Sequence, residues 1–400
     1  MKTKSIIFTA ITAAAIIFVT FCPAWEIEKE SLVDKSETKT NSTVQDFIVP
    51  EIDERIELVC IVFRLAGARE YRCKQFTKYN DDINNYFVEF KNHDAVLLAR
   101  SLHTSSLGGI NIAHDRVVFL GTCLEIKDGH LILSEQKIKD INNFMKENGM
   151  YNYLDKQAVK RFTELLDDFY VKSRFHQFFE TQQEMYHFAQ KQFLAGFRLI
   201  DLQWFDSFYG TEKNENIHLV LTMANEDGGY SFKAPMKNGQ YELHAMIGVG
   251  GTDDQGQPLF TADDYRSFMF QYNMLLFAGP IIEKHFESLK PEAEKLCSLM
   301  GTKIAQATHT KQWPETMMTY YLSYAVLIKY FKSHENIEIS DRLLQFYQKN
   351  GFVWLDRFVE ALDRYEKERN QFPTLDHYMP EIAELQKSIV TRSFLRELRK

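Results

Sequence analysis

Apolar residues recur at three- and four-residue intervals over residues 57–65 and 79–102, the spacing that gives a helix one buried face. Gly67 stands where the first of these helices would stop. Residues 114–132 lack that period and read as extended, with Asp128-Gly129 as their turn, while residues 136–148 form an amphipathic run closed by Gly149. Two aromatic-rich stripes follow between residues 155 and 193. Phe162, Leu165, Leu166, Phe169 and Tyr170 mark one, and Phe175, Phe178, Phe179, Tyr186 and Phe193 mark the other.

The period then changes. Ile217-His-Leu-Val-Leu-Thr-Met223 and Tyr241-Glu-Leu-His-Ala-Met-Ile247 look like strands, with Asp227-Gly-Gly229 and Lys237-Asn-Gly239 as turns between them. A Gly/Asp loop closing with Gly256-Gln-Pro-Leu-Phe260 leads to Thr261-Ala-Asp-Asp264, where acidic capping starts a helix. That helix is expected to run from Tyr265 to Phe277 and to end at Gly279-Pro280. Helical periodicity resumes over residues 281–301, 313–334, 340–350, 353–370 and 380–400. Helix dominates and strand is confined, so the class expected is α+β, with a small mixed or antiparallel sheet.

The N-terminus changes the picture of where the chain works. Met1-Lys-Thr-Lys4, an apolar run from Ile6 to Phe21 and then Cys22-Pro-Ala24 have the layout of a secretory signal peptide over residues 1–24. Residues 25–46 are polar and read as a flexible tether, and residues 47–400 contain no linker-like break and are read as a single domain. The chain is therefore expected to be exported, periplasmic or secreted. The alternative is lipidation at Cys22, which would make the N-terminus its membrane anchor. Acidic residues number 55 against 47 basic, which argues against nucleic acid as a partner. Cys60, Cys73, Cys123 and Cys297 lie beyond the signal segment. They read either as buried thiols or, for Cys60 and Cys73, as a disulfide pair.

The frame around Pro280 carries the candidate chemistry. A strand, a glycine-rich loop and a helix closing at Gly279-Pro280 form the setting in which H-E-x-x-H places two imidazoles and a general base about a zinc ion. Counted back from Pro280, those five positions read Gln271, Tyr272, Asn273, Met274 and Leu275. Leucine offers no ligand atom, and a phenol near pKa ~10 does not serve as a base at neutral pH.

This frame resembles a family of exported bacterial proteins known only as a domain of unknown function, whose members look like zincin-type metallopeptidases. The resemblance extends to residues 57–67, Glu70-Tyr71, Tyr86-Phe87 and the aromatic block of residues 162–193. It implies a predominantly helical, zincin-like domain with H-E-F-x-H-x-F-x-x-P in the helix and a later E-x-x-x-R-A carrying a third ligand. Here Phe277 and Pro280 match. The ligand positions are Gln271, Tyr272 and Leu275, and tyrosines stand at Tyr320 and Tyr324 of the later element. The chain therefore reads as a degenerate member without catalytic or metal-binding residues at those positions. Zinc, expected of the family, is expected to be absent here. The function expected is a non-catalytic one, binding a peptide, protein or glycan, or supporting structure.

The alternative is a hydrolase whose metal site is built elsewhere. His244, Asp253, Glu283 and His285 are the candidates for lining a cleft, with His309 and Glu315 as further ligands to be tested for convergence. His176, Glu180, Glu184 and His187 share one helix face by spacing and read first as a solvated surface. No phosphate loop and no G-x-S-x-G elbow occurs.

Overall fold

The computed structural model describes residues 48–397 except 69–70, 72–75, 105–119, 138, 140–155, 212–215, 226–228, 236–240 and 301–312. The expected signal segment, tether and helix at 136–148, together with Cys73 and His309, lie wholly or largely outside the described residues. The chain is mostly helical with small sheets, as α+β requires. It divides into two compact units. One holds the chain up to Ile200 together with Asn216–Phe268, the other Asp201–Glu215 together with Met269–Lys400.

In the first unit the helix Glu54–Ala66 begins at Asp53, whose side chain accepts from the Arg55 amide. It ends at Gly67, where φ of 95° lets the backbone turn back onto the Arg64 carbonyl. The expected 79–102 run is broken into Thr77–Tyr86, a short 3-10 turn at Val88–Phe90, and Asp94–Thr104. The break is made by packing: Phe87 is stacked against Phe169 and Phe175 and meets Phe178 edge-on. The second stripe is also interrupted. Lys156–Lys172, Phe175–Thr181 and Gln183–Phe197 are separate helices, with Arg174 in the left-handed region at φ 54°.

Strands β1 (Leu124–Lys127) and β2 (His130–Leu133) form a hairpin about Asp128-Gly129, both with positive φ. The main sheet comprises β3 (Asn216–Thr222), β4 (Gly229–Pro235) and β5 (Tyr241–Gly248) in the order β3-β5-β4. β3 runs parallel to β5 and β4 antiparallel to it, so this sheet is mixed. Glu51 adds a further rung beside Val220, exchanging backbone hydrogen bonds of 2.9 and 2.8 Å with Leu219 and Leu221. A buried carboxylate ties the first helix to the end of β3. Glu57 accepts from the amides of Met223 and Ala224 and from the Tyr79 hydroxyl, which in turn contacts Tyr186.

The chain passes from the first unit to the second within the helix Ala262–Asn273. The expected stop at Gly279-Pro280 does not occur. A π-helical stretch at Met274–Ala278 leads directly into the helix Gly279–Leu299, and Gly279 itself has helical angles. Proline cannot donate a backbone hydrogen bond and crowds the preceding turn. The wider π turn accommodates Pro280 at the second position of the next helix, within its first turn, where the missing donor costs least.

The rest of the second unit is helical: Trp313–Ser333, Ile337–Lys349, Leu355–Lys367 and Leu375–Glu397, joined by the short helix Gln203–Tyr209. Its core is aromatic, with Tyr209 stacked on Phe277 and Tyr321 on Phe358. Among the described residues no helix is long and apolar enough to cross a membrane.

Candidate functional site

The helix around residues 271–275, to which the sequence resemblance assigns ligand positions, is packed into the core. Gln271, Tyr272 and Leu275 are 2%, 6% and 3% exposed, and Tyr320 and Tyr324 are 1% and 6%. Tyr272 lies edge-on to Phe205 and against Phe277, while Tyr324 stacks on Phe270 at 4.8 Å between centroids. Tyr320 packs against Phe270 and Phe352. Between these positions Asn273 donates to the Ser323 carbonyl and accepts from the Tyr209 hydroxyl at 2.7 Å. Burial drives the Tyr320 hydroxyl far above its ordinary pKa, so it stays a neutral phenol. The five positions form the core of a helical layer, and none offers an imidazole or a carboxylate.

The other sequence candidates have local work. Asp253 accepts from the Gln255 and Gln257 amides and shapes the turn at Gly256. Asp264 holds the Thr261 amide and hydroxyl, capping its helix; a Cβ on Gly250 would fall 2.2 Å from its carboxylate and force it to shift away from those bonds. His285 contacts Asp376 at 2.9 Å. Glu315 is pushed up to about 7 by burial, with the charges of Glu283 and Glu287 adding to the rise. The spacing of His176, Glu180, Glu184 and His187 does not place them on one helix, because the chain is interrupted at Gln182. His176 turns to Glu54 at 3.1 Å, and the other three are exposed.

Chemistry gathers on the main sheet. Along a strand alternate residues share a face, so Glu242 and His244 project together from β5. The parallel register sets His218 of β3 directly beside His244. The two rings stand 4.8 Å apart, and the Glu242 carboxylate is 2.9 Å from Nε2 of His244. One ligand atom from each of His218, Glu242 and His244 lies within 4.8 Å of the other two. Among the described residues this is the group of His, Cys and carboxylate side chains close enough to share an ion. His244 is the only one of the cleft-lining candidates that belongs to it.

Glu51, outside this group, contacts Nε2 of His218. That hydrogen bond raises the pKa of His218, whereas burial, reinforced by the neighbouring His218, lowers His244 to about 3. His244 is therefore a neutral imidazole at ordinary pH, and its contact with Glu242 is a hydrogen bond rather than an ion pair.

Glu51 also borders a shallow cleft of about 470 Å³, lined by Asp53, Glu54, Arg55, Glu125 and Ile126. Arg55 pairs with Asp53 and donates to the Leu124 carbonyl; Glu54 accepts from Tyr170 at 2.9 Å. Four carboxylates face one guanidinium, which leaves the cleft acidic.

Period-2 spacing makes the Glu242/His244 pair readable in the sequence. His218 and Glu51 needed the strand register, which no local pattern encodes. No curated protein and no solved structure matches the chain. A family model described as a domain of unknown function (DUF4932) matches residues 48–385, running through both units, and the chain belongs to that family.

Proposed function

We propose that this chain is an exported protein of the cell envelope on a metallopeptidase-like scaffold, and that it binds or supports a partner rather than cutting it. The carrying observation is the burial of Gln271, Tyr272, Leu275, Tyr320 and Tyr324 among aromatic rings. A peptidase centre needs ligands, a base and a water-filled approach at those positions, and the side chains there supply none of them. The partner expected is a peptide, protein or glycan, and the acidic balance of the chain disfavours nucleic acid.

The test is incubation of the purified full chain with a diverse peptide library, with and without a chelator. No cleavage is expected in either arm. Chelator-sensitive cleavage by homogeneous protein would overturn the non-catalytic reading. Export is tested separately by sequencing the N-terminus of protein recovered from the producing cell. A start at Trp25 supports signal cleavage after Ala24, a lipidated Cys22 supports the anchored form, and an intact Met1 terminus in the cytoplasm overturns export.

A further inference from the structure

We propose that His218, Glu242 and His244 form a binding site for one first-row divalent transition-metal ion, with Glu51 as the outer carboxylate that orients His218. This goes beyond the non-catalytic reading and does not depend on it. It departs from the metal-free chain expected from the sequence, because it places an ion on the sheet and leaves the Gln271–Tyr320 positions empty of one.

Four observations converge. The three ligand atoms lie within 4.8 Å of one another, so side-chain rotations of about an ångström bring them to one ion at ~2.0–2.2 Å from each. Their backbones are held by β5, which is hydrogen-bonded on both sides, to β3 and to β4. Glu51 engages the His218 ring from outside the triad. With Glu51 on Nε2, Nδ1 of His218 is the nitrogen left for an ion, and a carboxylate on the second ring nitrogen fixes the orientation of a metal-bound histidine. Finally, the side chains of His218 and Glu242 are only 24% and 32% exposed, and that of His244 is 9% exposed. The ligands are thus part-buried, with His218 and Glu242 still reaching solvent. Glu51 belongs also to the acidic cleft, whose carboxylates raise the local concentration of cations.

The donor set selects the ion. Two imidazoles with one carboxylate suit zinc and its first-row neighbours, whereas calcium and magnesium prefer oxygen alone. Three protein ligands on an open site leave room for a water or a ligand group in the fourth place.

The experiment uses tag-free full chain stripped with a chelator and titrated with Zn²⁺ by calorimetry and with Co²⁺ by absorption. One equivalent is expected to bind, with the visible bands of a low-coordinate cobalt centre. His244→Ala is expected to weaken zinc binding by more than about 100-fold, and Glu51→Gln by about 10–100-fold, the range for loss of an outer carboxylate. His285→Ala should leave affinity unchanged. His244 is mostly buried, so circular dichroism accompanies each variant. Should His244→Ala fail to fold, the part-exposed His218→Gln and Glu242→Gln variants decide the matter on the same scale. Absence of stoichiometric binding to the wild-type chain, or affinity retained within about threefold in the His218 and Glu242 variants, overturns the site. Zinc binding without peptide cleavage leaves both proposals standing, and cleavage without binding at these residues removes them together.

Discussion

The buried polar sites of the first unit and the Gln271–Tyr320 layer of the second solve the same problem, filling a core next to polar groups, in opposite ways. The first buries ionisable side chains and gives each a partner: Glu57 with two amides and a phenol, Asp264 with Thr261, His244 beside Glu242. Around Gln271 and Tyr320 the second buries amides, hydroxyls and rings that carry no charge. The difference lies in the secondary structure available. Strands in register bring side chains from distant sequence positions side by side, so an imidazole pair can form. The packed helices of the second unit present rings that interdigitate, and positions 271, 272, 275, 320 and 324 are filled by an amide, tyrosines and leucine. Sensitivity to metal should therefore lie on the sheet of the first unit, and sensitivity to lost volume in the Gln271–Tyr320 layer of the second.

The largest test of this contrast is Glu57→Ala. It removes one acceptor from three buried donors, and breaking such a network typically costs about 3–5 kcal/mol. Glu57→Gln keeps the shape and isolates the charge. Burial raises Glu57 from 4.5 to about 7 against the opposing hydrogen bonds. A folded-state value above the unfolded one means its contribution is complete below about pH 4.5 and is lost as pH rises through about 7. At about 1.4 kcal/mol per unit, this amounts to roughly 3 kcal/mol. Urea denaturation at pH 5 and pH 8 should show wild type losing more stability than Glu57→Gln over that interval. Equal losses in the two proteins would mean that the carboxylate carries no such shift.

The second unit should respond to truncation. Leu275→Ala opens a cavity in a packed aromatic layer and is expected to cost about 2–5 kcal/mol, with the cost unchanged between pH 5 and pH 8. An effect below about 1 kcal/mol would place Leu275 beside open space and return the helix to the status of a cleft wall. Zinc affinity of this variant should match wild type, since the proposed ligands are all on the first unit.

How much of this was legible follows from the range of each interaction. Gly67 as a helix stop, the Asp128-Gly129 hairpin turn, β3 and β5, and the later helices are written in local spacing and turn chemistry, and the fold shows them. The breaks at Phe87 and Gln182 are set by aromatic packing between distant segments, and a continuous apolar stripe conceals them. Gly279-Pro280 reads as a stop because the pair usually ends helices; a π turn, which has no simple sequence signature, carries the chain through. Among site residues, that positions 271, 272 and 275 carry no imidazole or carboxylate is plain from the residue types themselves. The His218–His244 pairing is not, because parallel register is fixed by the whole sheet rather than by either strand.

The smallest expected effect sharpens the comparison from the other side, because the second unit holds a histidine whose pKa is raised. His334 lies 3.5 Å from Asp201, whose hydrogen bond raises the histidine pKa, and Asp201 is lowered in return. The stabilisation from His334 is full below its ordinary value near 6.5 and fades as pH rises through the raised one. The Asp201 share is present above about 3.8 and fades below it. Both groups are a third or more exposed, so solvent screening holds the pair to about 0.5 kcal/mol. Asp201→Asn retains an acceptor for the Trp204 amide and removes only the charge. Titration of His334 by NMR should then show a pKa nearer its ordinary value, with global stability changed by no more than a few tenths of a kcal/mol at pH 6. A loss above about 1 kcal/mol would mean that the Asp201–His334 pair is not a screened surface pair.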